Sequence, residues 1–210
     1  MIQPSKFWDG IAAKYAANPI QDPEAYEYTL GRTRSYLTPS DRVLEIGAGT
    51  GSTALLLAGH VASITGTDIS GNMIDIAKTK AREGKVENAE FTVASAIEAA
   101  GQAGKYTVVA GFNILHLSDD LDLLLRTLHD HMPADSLLIT KTPCVSDPAM
   151  GLKRFAIRAV VPLMQLIGKA PYLRYLTVRQ LEDSIEKAGF KIIETCSRPA
   201  MSRYIVARRA

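Results

Sequence analysis

The chain has 210 residues, 47% of them hydrophobic and 22% charged, with a net charge of +2. That length suits one α/β domain over 1–210, burying roughly 70% of the surface its unfolded form exposes. A charge so near zero is too small to argue for nucleic acid on its own and nothing resembles a basic arm, so no nucleic-acid partner is expected.

The cysteines, Cys144 and Cys196, are too few for a disulfide scaffold. No His/Asp/Glu cluster has ligand spacing, so no metal is expected. Met1–Gly10 carries Lys6, Trp8 and Asp9 and lacks an apolar stretch of signal-peptide length. No window approaches the about 18 uncharged apolar residues of a membrane span. The expected location is cytoplasmic.

Along the chain, Phe7, Ile11, Tyr15, Tyr26, Leu30 and Tyr36 fall at roughly helical spacing, interrupted by Asn18-Pro19 and Pro23. They predict a helical N-terminal cover over residues 1–40. Val43–Ile46 is a short apolar run ending in glycines, which suits a buried parallel strand. Ser52–Leu57 continues as a helix rich in Ala and Leu. The alternation repeats with a strand at Val61–Thr67, a helix at Asn72–Arg82, a short strand at Phe91–Ala94 and a helical turn at Ile97–Ala100. A strand at Tyr106–Asn113, an apolar helix at Leu121–Leu128 and a strand at Leu137–Lys141 follow. Strands alternating with helices predict βαβ units and a parallel sheet covered on both faces.

Residues 143–176 fall outside this rhythm and predict a lid, whose helix Pro162 should break or kink. Val178–Ala188 reads as a helix closed by Gly189. Phe190–Cys196 and Tyr204–Arg208 are strands joined by only seven residues. That link is too short for a parallel crossover and predicts an antiparallel hairpin.

The first strand runs into Glu45-Ile46-Gly47-Ala48-Gly49-Thr50-Gly51. A strand feeding a helix through glycines lets backbone approach a ligand closely. The glycines fall at every second position, and Ser52 stands where a dinucleotide fold has its third glycine. Glu45 cannot favour a pyrophosphate but could pair with a cationic ligand group. Asp68, 17 residues after Gly51, ends the second strand. There it is placed to bind both ribose hydroxyls, to cap the helix beginning near Ser70, or to do both. Ile69 and Met73 follow as apolar groups able to press on an adenine ring.

With these motifs the sequence resembles the class I S-adenosylmethionine-dependent methyltransferases. The resemblance rests on Val43–Gly51, on Gly66–Ser70 with Met73 and Ala77, and on Asn113–His116. The Met132–Leu138 turn and Ala188-Gly189-Phe190 add to it. It implies a seven-stranded, mostly parallel sheet of order 3-2-1-4-5-7-6, with strand 7 antiparallel and helices on both faces. It implies S-adenosyl-L-methionine as cofactor, with its methionine portion at Gly47–Gly51 beside Asn113 and its ribose on Asp68. An acid expected near the adenine is replaced by Ser95-Ala96, so the Ser95 hydroxyl or the backbone there takes its place. Tyr15 matches an N-terminal helix that covers the cofactor.

His116, just beyond the fourth strand, could deprotonate an acceptor. It could instead pack under the lid or cap the next helix. Cys144 reads as a small pocket-lining residue rather than a nucleophile. The lid is apolar over more than one helix stripe. Between Val145 and Leu181 it carries six Lys/Arg and one acid, Asp147. Three readings stay open for it: a helix packed on the sheet with its basic face in water, the wall of an acceptor pocket, or a basic amphipathic helix on anionic lipid. The expected activity is methyl transfer to a small, apolar or lipid-like acceptor. A catalytically silent cofactor-binding module and a nicotinamide oxidoreductase are the alternatives.

Overall fold

A computed structural model describes residues 3–199 and 201–210; Met1, Ile2 and Ala200 lie outside the described residues. The apolar runs form strands because β-branched residues suit a pleated surface buried on both sides. These are β1 (Arg42–Ile46), β2 (Ser63–Asp68), β3 (Ala89–Val93), β4 (Val108–Phe112), β5 (Leu137–Pro143), β6 (Phe190–Cys196) and β7 (Ser202–Arg209). They form one sheet of order β3-β2-β1-β4-β5-β7-β6. The first five strands are parallel. β7 runs antiparallel to both its neighbours, forming with β6 the expected hairpin; it begins at Ser202, two residues earlier than expected, so the link from Cys196 is shorter still.

Register sorts the core into two layers. Val43 pairs with Ile64 and Val108, and all three enter one apolar cluster with Leu30, Leu57 and Ile74. Each next residue points to the opposite face. Leu44, Val109 and Leu138 accordingly join a second cluster with Leu125, Leu128 and Leu181.

The first face is covered by α2 (Pro23–Arg34), α3 (Ser52–Ala58) and α4 (Gly71–Glu83). The second is covered by α5 (Ala96–Ala100), α6 (Leu121–His131) and α8 (Val178–Lys187). Side-chain caps start five of these six helices, all but α3: Asp22 for α2, Ser70 for α4, Asp120 for α6, and capping boxes Ser95/Glu98 for α5 and Thr177/Gln180 for α8. The ion pair of Arg32 with Glu194, which also accepts from the Tyr36 hydroxyl, ties α2 to β6.

Two elements stand outside this sandwich. The expected N-terminal helical run divides at Asn18–Asp22, leaving α1 (Pro4–Ala17) packed on α4. The lid contains α7 (Lys153–Leu166), which runs through Pro162 without ending there. Pro162 is exposed, and on a wet face water can satisfy the carbonyl that its missing N–H leaves free. No residue of α7 is buried. The lid helix therefore does not pack on the sheet with a basic face outward.

Candidate active site

The strand order reverses between β1 and β4, so the loops that follow them diverge and leave a crevice beyond the carboxyl ends of the strands. A cavity of about 610 Å³ opens there, within the roughly 300–1,000 Å³ of small-molecule sites.

Its floor is the turn after β1. Gly47 lines the cavity at φ +66°, and a Cβ on it would lie 2.7 Å from the Ile114 side chain. Only glycine allows both the left-handed backbone and the close neighbour. Gly49 also lines the cavity, and its N–H donates to Asp68 Oδ2 at 2.9 Å. The Ser70 N–H donates to Asp68 Oδ1 at 2.9 Å. Each carboxylate oxygen thus accepts one N–H and keeps a lone pair for a ligand. Burial pushes the Asp68 carboxyl up, while the N–H groups of Ser70, Gly49 and Ile69 pull it down. Helix capping falls instead to Ser70, whose Oγ accepts from Met73 N–H at 3.1 Å.

Ile69, Met73, Ser95 and Ala96 continue the wall. The Ser95 hydroxyl donates to Glu98 Oε2 at 2.7 Å and the Ser95 backbone N–H to the same oxygen at 2.8 Å, leaving Ala96 as the free surface there. Asn113 lines the far side at φ +59°, its N–H donating to Lys141 O at 2.7 Å. A positive φ is rare outside glycine, and Asn tolerates it better than most residues. His116 sits in a single helical turn, Leu115–Leu117, and lines the cavity. Burial holds its imidazole down at about 4, and its Nδ1 has no partner among the described residues. The cap of the next helix is Asp120, accepting from Leu123 N–H at 2.8 Å, so His116 is free of that duty.

Glu45, Ala48 and Gly51 are not on the wall. The Ala48 N–H donates to Thr67 O at 2.8 Å. Gly51, at φ +74°, admits the Ala77 and Phe91 side chains, which a Cβ would meet at 2.7 and 2.8 Å. Glu45 is buried beneath the turn; burial, then the charge of Asp68, pushes its carboxyl up to about 8. Its Oε2 has no hydrogen-bond partner among the described residues. Cys144 is buried in the second core cluster rather than on the cavity wall, and burial pushes its thiol up to about 12.

α1 supplies Pro4, Trp8 and Tyr15 to the cavity from above. Asp9 holds this cover: it accepts from Ser70 Oγ at 2.6 Å and from Asn72 N–H at 3.1 Å. The opposite wall comes from Leu117, Leu123, Leu124, Val161 and Leu173. Arg174 closes it, its N–H donating to His116 O at 2.8 Å and its guanidinium to the carbonyls of Ser118 and Asp119. Asp9 and Arg174 carry no sequence signal, because their partners lie some 60 residues away (Ser70 is 61 from Asp9, Ser118 56 from Arg174).

A family model described as a methyltransferase domain matches residues 18–195. The chain is 33% identical over 115 residues to a highly reducing polyketide synthase of Gibberella fujikuroi, covering 50% of this chain and 4% of that protein. It is 25% identical over 154 residues to a ubiquinone biosynthesis O-methyltransferase of Brucella anthropi, covering 73% of this chain and 61% of that one. It thus spans less than two thirds of either relative's length. Among solved structures it resembles geranyl diphosphate C-methyltransferase of Streptomyces coelicolor A3(2), crystallised with Mg2+, geranyl diphosphate and S-adenosyl-L-homocysteine. That likeness, one of fold, has a TM-score of 0.71 at 14% identity over 90% of this chain and 79% of the other. Strand order and matched segment agree: the chain belongs to the methyltransferase domain family, in the class I, Rossmann-like group that uses S-adenosylmethionine.

Proposed function

We propose that this chain transfers the methyl group of S-adenosylmethionine to a neutral, apolar acceptor bound between His116 and the lid. The observation that carries this reading is the change of chemistry along one cavity. Asp68 and the glycine turn line one side, and Leu117, Leu123, Leu124, Val161 and Leu173 line the other.

The donor set fits the cofactor. Asp68 has a free lone pair on each oxygen for the ribose hydroxyls, and Ile69 and Met73 flank the place of the adenine, with Ala96 beside it. Gly47, Gly49 and Asn113 admit the methionine portion, and the Glu45 carboxyl beneath the turn, its Oε2 without a partner among the described residues, attracts its ammonium once ionised. Tyr15 covers the site. When bound, the cofactor supplies an electrophilic methyl group whose departure leaves a neutral thioether. The chain's part is to align the acceptor, exclude water and accept the acceptor's proton.

His116 is unprotonated at neutral pH and can take that proton. A base this weak is matched to an acidic O–H such as a phenol, not to an alkyl alcohol. That agrees with the quinone-related chemistry in the name of the Brucella relative. No Lys or Arg lines the cavity among the described residues, whereas Asp68, Asp119 and Asp120 do. A diphosphate like that bound by the Streptomyces protein would find no cationic side chain there. The basic, apolar lid is the part of the chain that would meet an anionic membrane surface.

The test is turnover of methyl-labelled cofactor with an alkyl-substituted phenol and, separately, with geranyl diphosphate. Faster turnover of the diphosphate would overturn the acceptor class. His116→Gln is expected to lower kcat by about 100-fold while leaving adenosylhomocysteine affinity unchanged. Undiminished kcat would remove His116 as the base.

A further inference from the structure

The lid helix α7 is built inside out for a helix facing water. On a 3.6-residue repeat, Arg154, Ile157, Val161 and Gln165 share the inner side, and they are its less exposed positions. The outer side is Leu152, Phe155, Val160, Leu163, Leu166 and Ile167, with Leu152 at 85%, Leu163 at 63% and Leu166 at 83% exposure. An amphipathic helix covering its own core would show the reverse arrangement. An apolar face left in water in this way marks a docking surface.

The margins of that face say what it meets. Lys153, Arg158 and Lys169 flank it and are exposed. From Pro148 to Leu181 there is no Asp or Glu, while Lys153, Arg154, Arg158, Lys169, Arg174 and Arg179 give six positive charges. A second copy of the chain would bring these charges against their like, whereas an anionic lipid surface complements them. No helix of the described residues is long and apolar enough to cross a membrane, and an amphipathic helix of this kind docks in the interface plane. Val161, on the inner side of α7, and Leu173 beyond it line the acceptor end of the cavity.

We infer that α7 seats its outer face in the headgroup region of an anionic bilayer and that the cavity receives its acceptor from that side. The inference rests on the apolar-acceptor reading for its purpose, but the docking is measurable without any acceptor. The experiment is co-sedimentation of the full chain with phosphatidylcholine vesicles and with vesicles also containing phosphatidylglycerol. Partitioning onto the anionic vesicles is expected to be at least about tenfold stronger and to weaken as salt is raised.

The double variant L163E/L166E is expected to lose that binding. Neither residue lines the cavity, so adenosylhomocysteine affinity and circular dichroism should be unchanged, which separates lost docking from lost fold. Lys153→Glu with Arg158→Glu should abolish the preference for anionic over neutral vesicles. Equal binding to both vesicles, or full binding by L163E/L166E, would overturn the inference. So would a concentration-dependent dimer, lost in L163E/L166E, from a chain that ignores vesicles. Vesicle binding without methylation of any apolar acceptor would leave docking standing and sink the acceptor reading. Turnover of a soluble phenol without vesicle binding would do the opposite.

Discussion

The cofactor half of the molecule and the lid are opposite solutions to the placing of apolar and charged groups. Around β1 and β2 the apolar side chains are enclosed and even carboxyls are buried: Leu57 and Ile74 are inaccessible, and Glu45 lies under the glycine turn. In α7 nothing is buried, and the leucines face outward among lysines and arginines. The first half is tightly packed because its strands and the helices α2, α3 and α4 share one apolar cluster. The second is held by a few polar ties, chiefly Arg174 on the carbonyls around His116 and Gln165 Nε2 donating to Pro171 O at 2.8 Å.

The largest effect that would test this contrast is on stability. Leu57→Ala is expected to cost about 2–5 kcal/mol in chemical denaturation, since it opens a cavity in a packed layer; a loss below ~1 kcal/mol would mean that this half is not the tightly packed one. Next comes Asp68→Ala, read by calorimetry with adenosylhomocysteine. Losing charge-assisted hydrogen bonds to two hydroxyls should weaken binding by about 3 kcal/mol, more than 100-fold. Retained affinity would remove Asp68 from the site.

Glu45 gives a smaller, pH-dependent effect. Its carboxyl is raised in the fold to about 8 from an ordinary 4.5, so the folded chain holds a proton that the unfolded chain releases. Its contribution to stability is complete below pH about 4.5 and is lost as pH rises toward 8. Binding a cationic group ionises it, so adenosylhomocysteine affinity should rise between pH 6 and 8, with a proton released to buffer. Glu45→Gln should abolish this slope, weaken binding about tenfold (~1.4 kcal/mol) and raise Tm at pH 8. A slope that survives in the variant would assign the proton elsewhere. The smallest effect belongs to the lid: Leu163→Ala should change stability by no more than about 0.5 kcal/mol. A core-sized loss there would show that α7 is packed and would undo the comparison.

The elements of the sheet were legible because burial on both faces writes itself as short apolar runs, and the short link after Cys196 left β7 one direction to run. Element ends were less so: β3 begins two residues earlier than Phe91, and β5 extends to Pro143, since hydrogen-bonded partners rather than side chains decide where a ladder stops. In the site, Gly47, Gly49, Asp68, Asn113 and His116 were readable from position relative to strand ends, and they line one cavity. Gly51 was readable as a glycine but not as one that admits Phe91 and Ala77. The roles of Asp9 and Arg174 were invisible, each meeting its partners across a long stretch of chain.

Local chemistry in the sequence therefore determined the strand alternation, the glycine turn after β1 and the acid at the end of β2, because each depends on neighbours a few residues apart. Tertiary structure alone decided that Glu45 is buried without a partner for Oε2, that Asp120 and Ser70 take the capping duties and leave His116 and Asp68 to the cavity, and that α7 turns its leucines to the outside. Burial and orientation are properties of the packed chain. The same apolar stretch reads alike whether it faces a core or the surface, and only the placement of its neighbours tells the two apart.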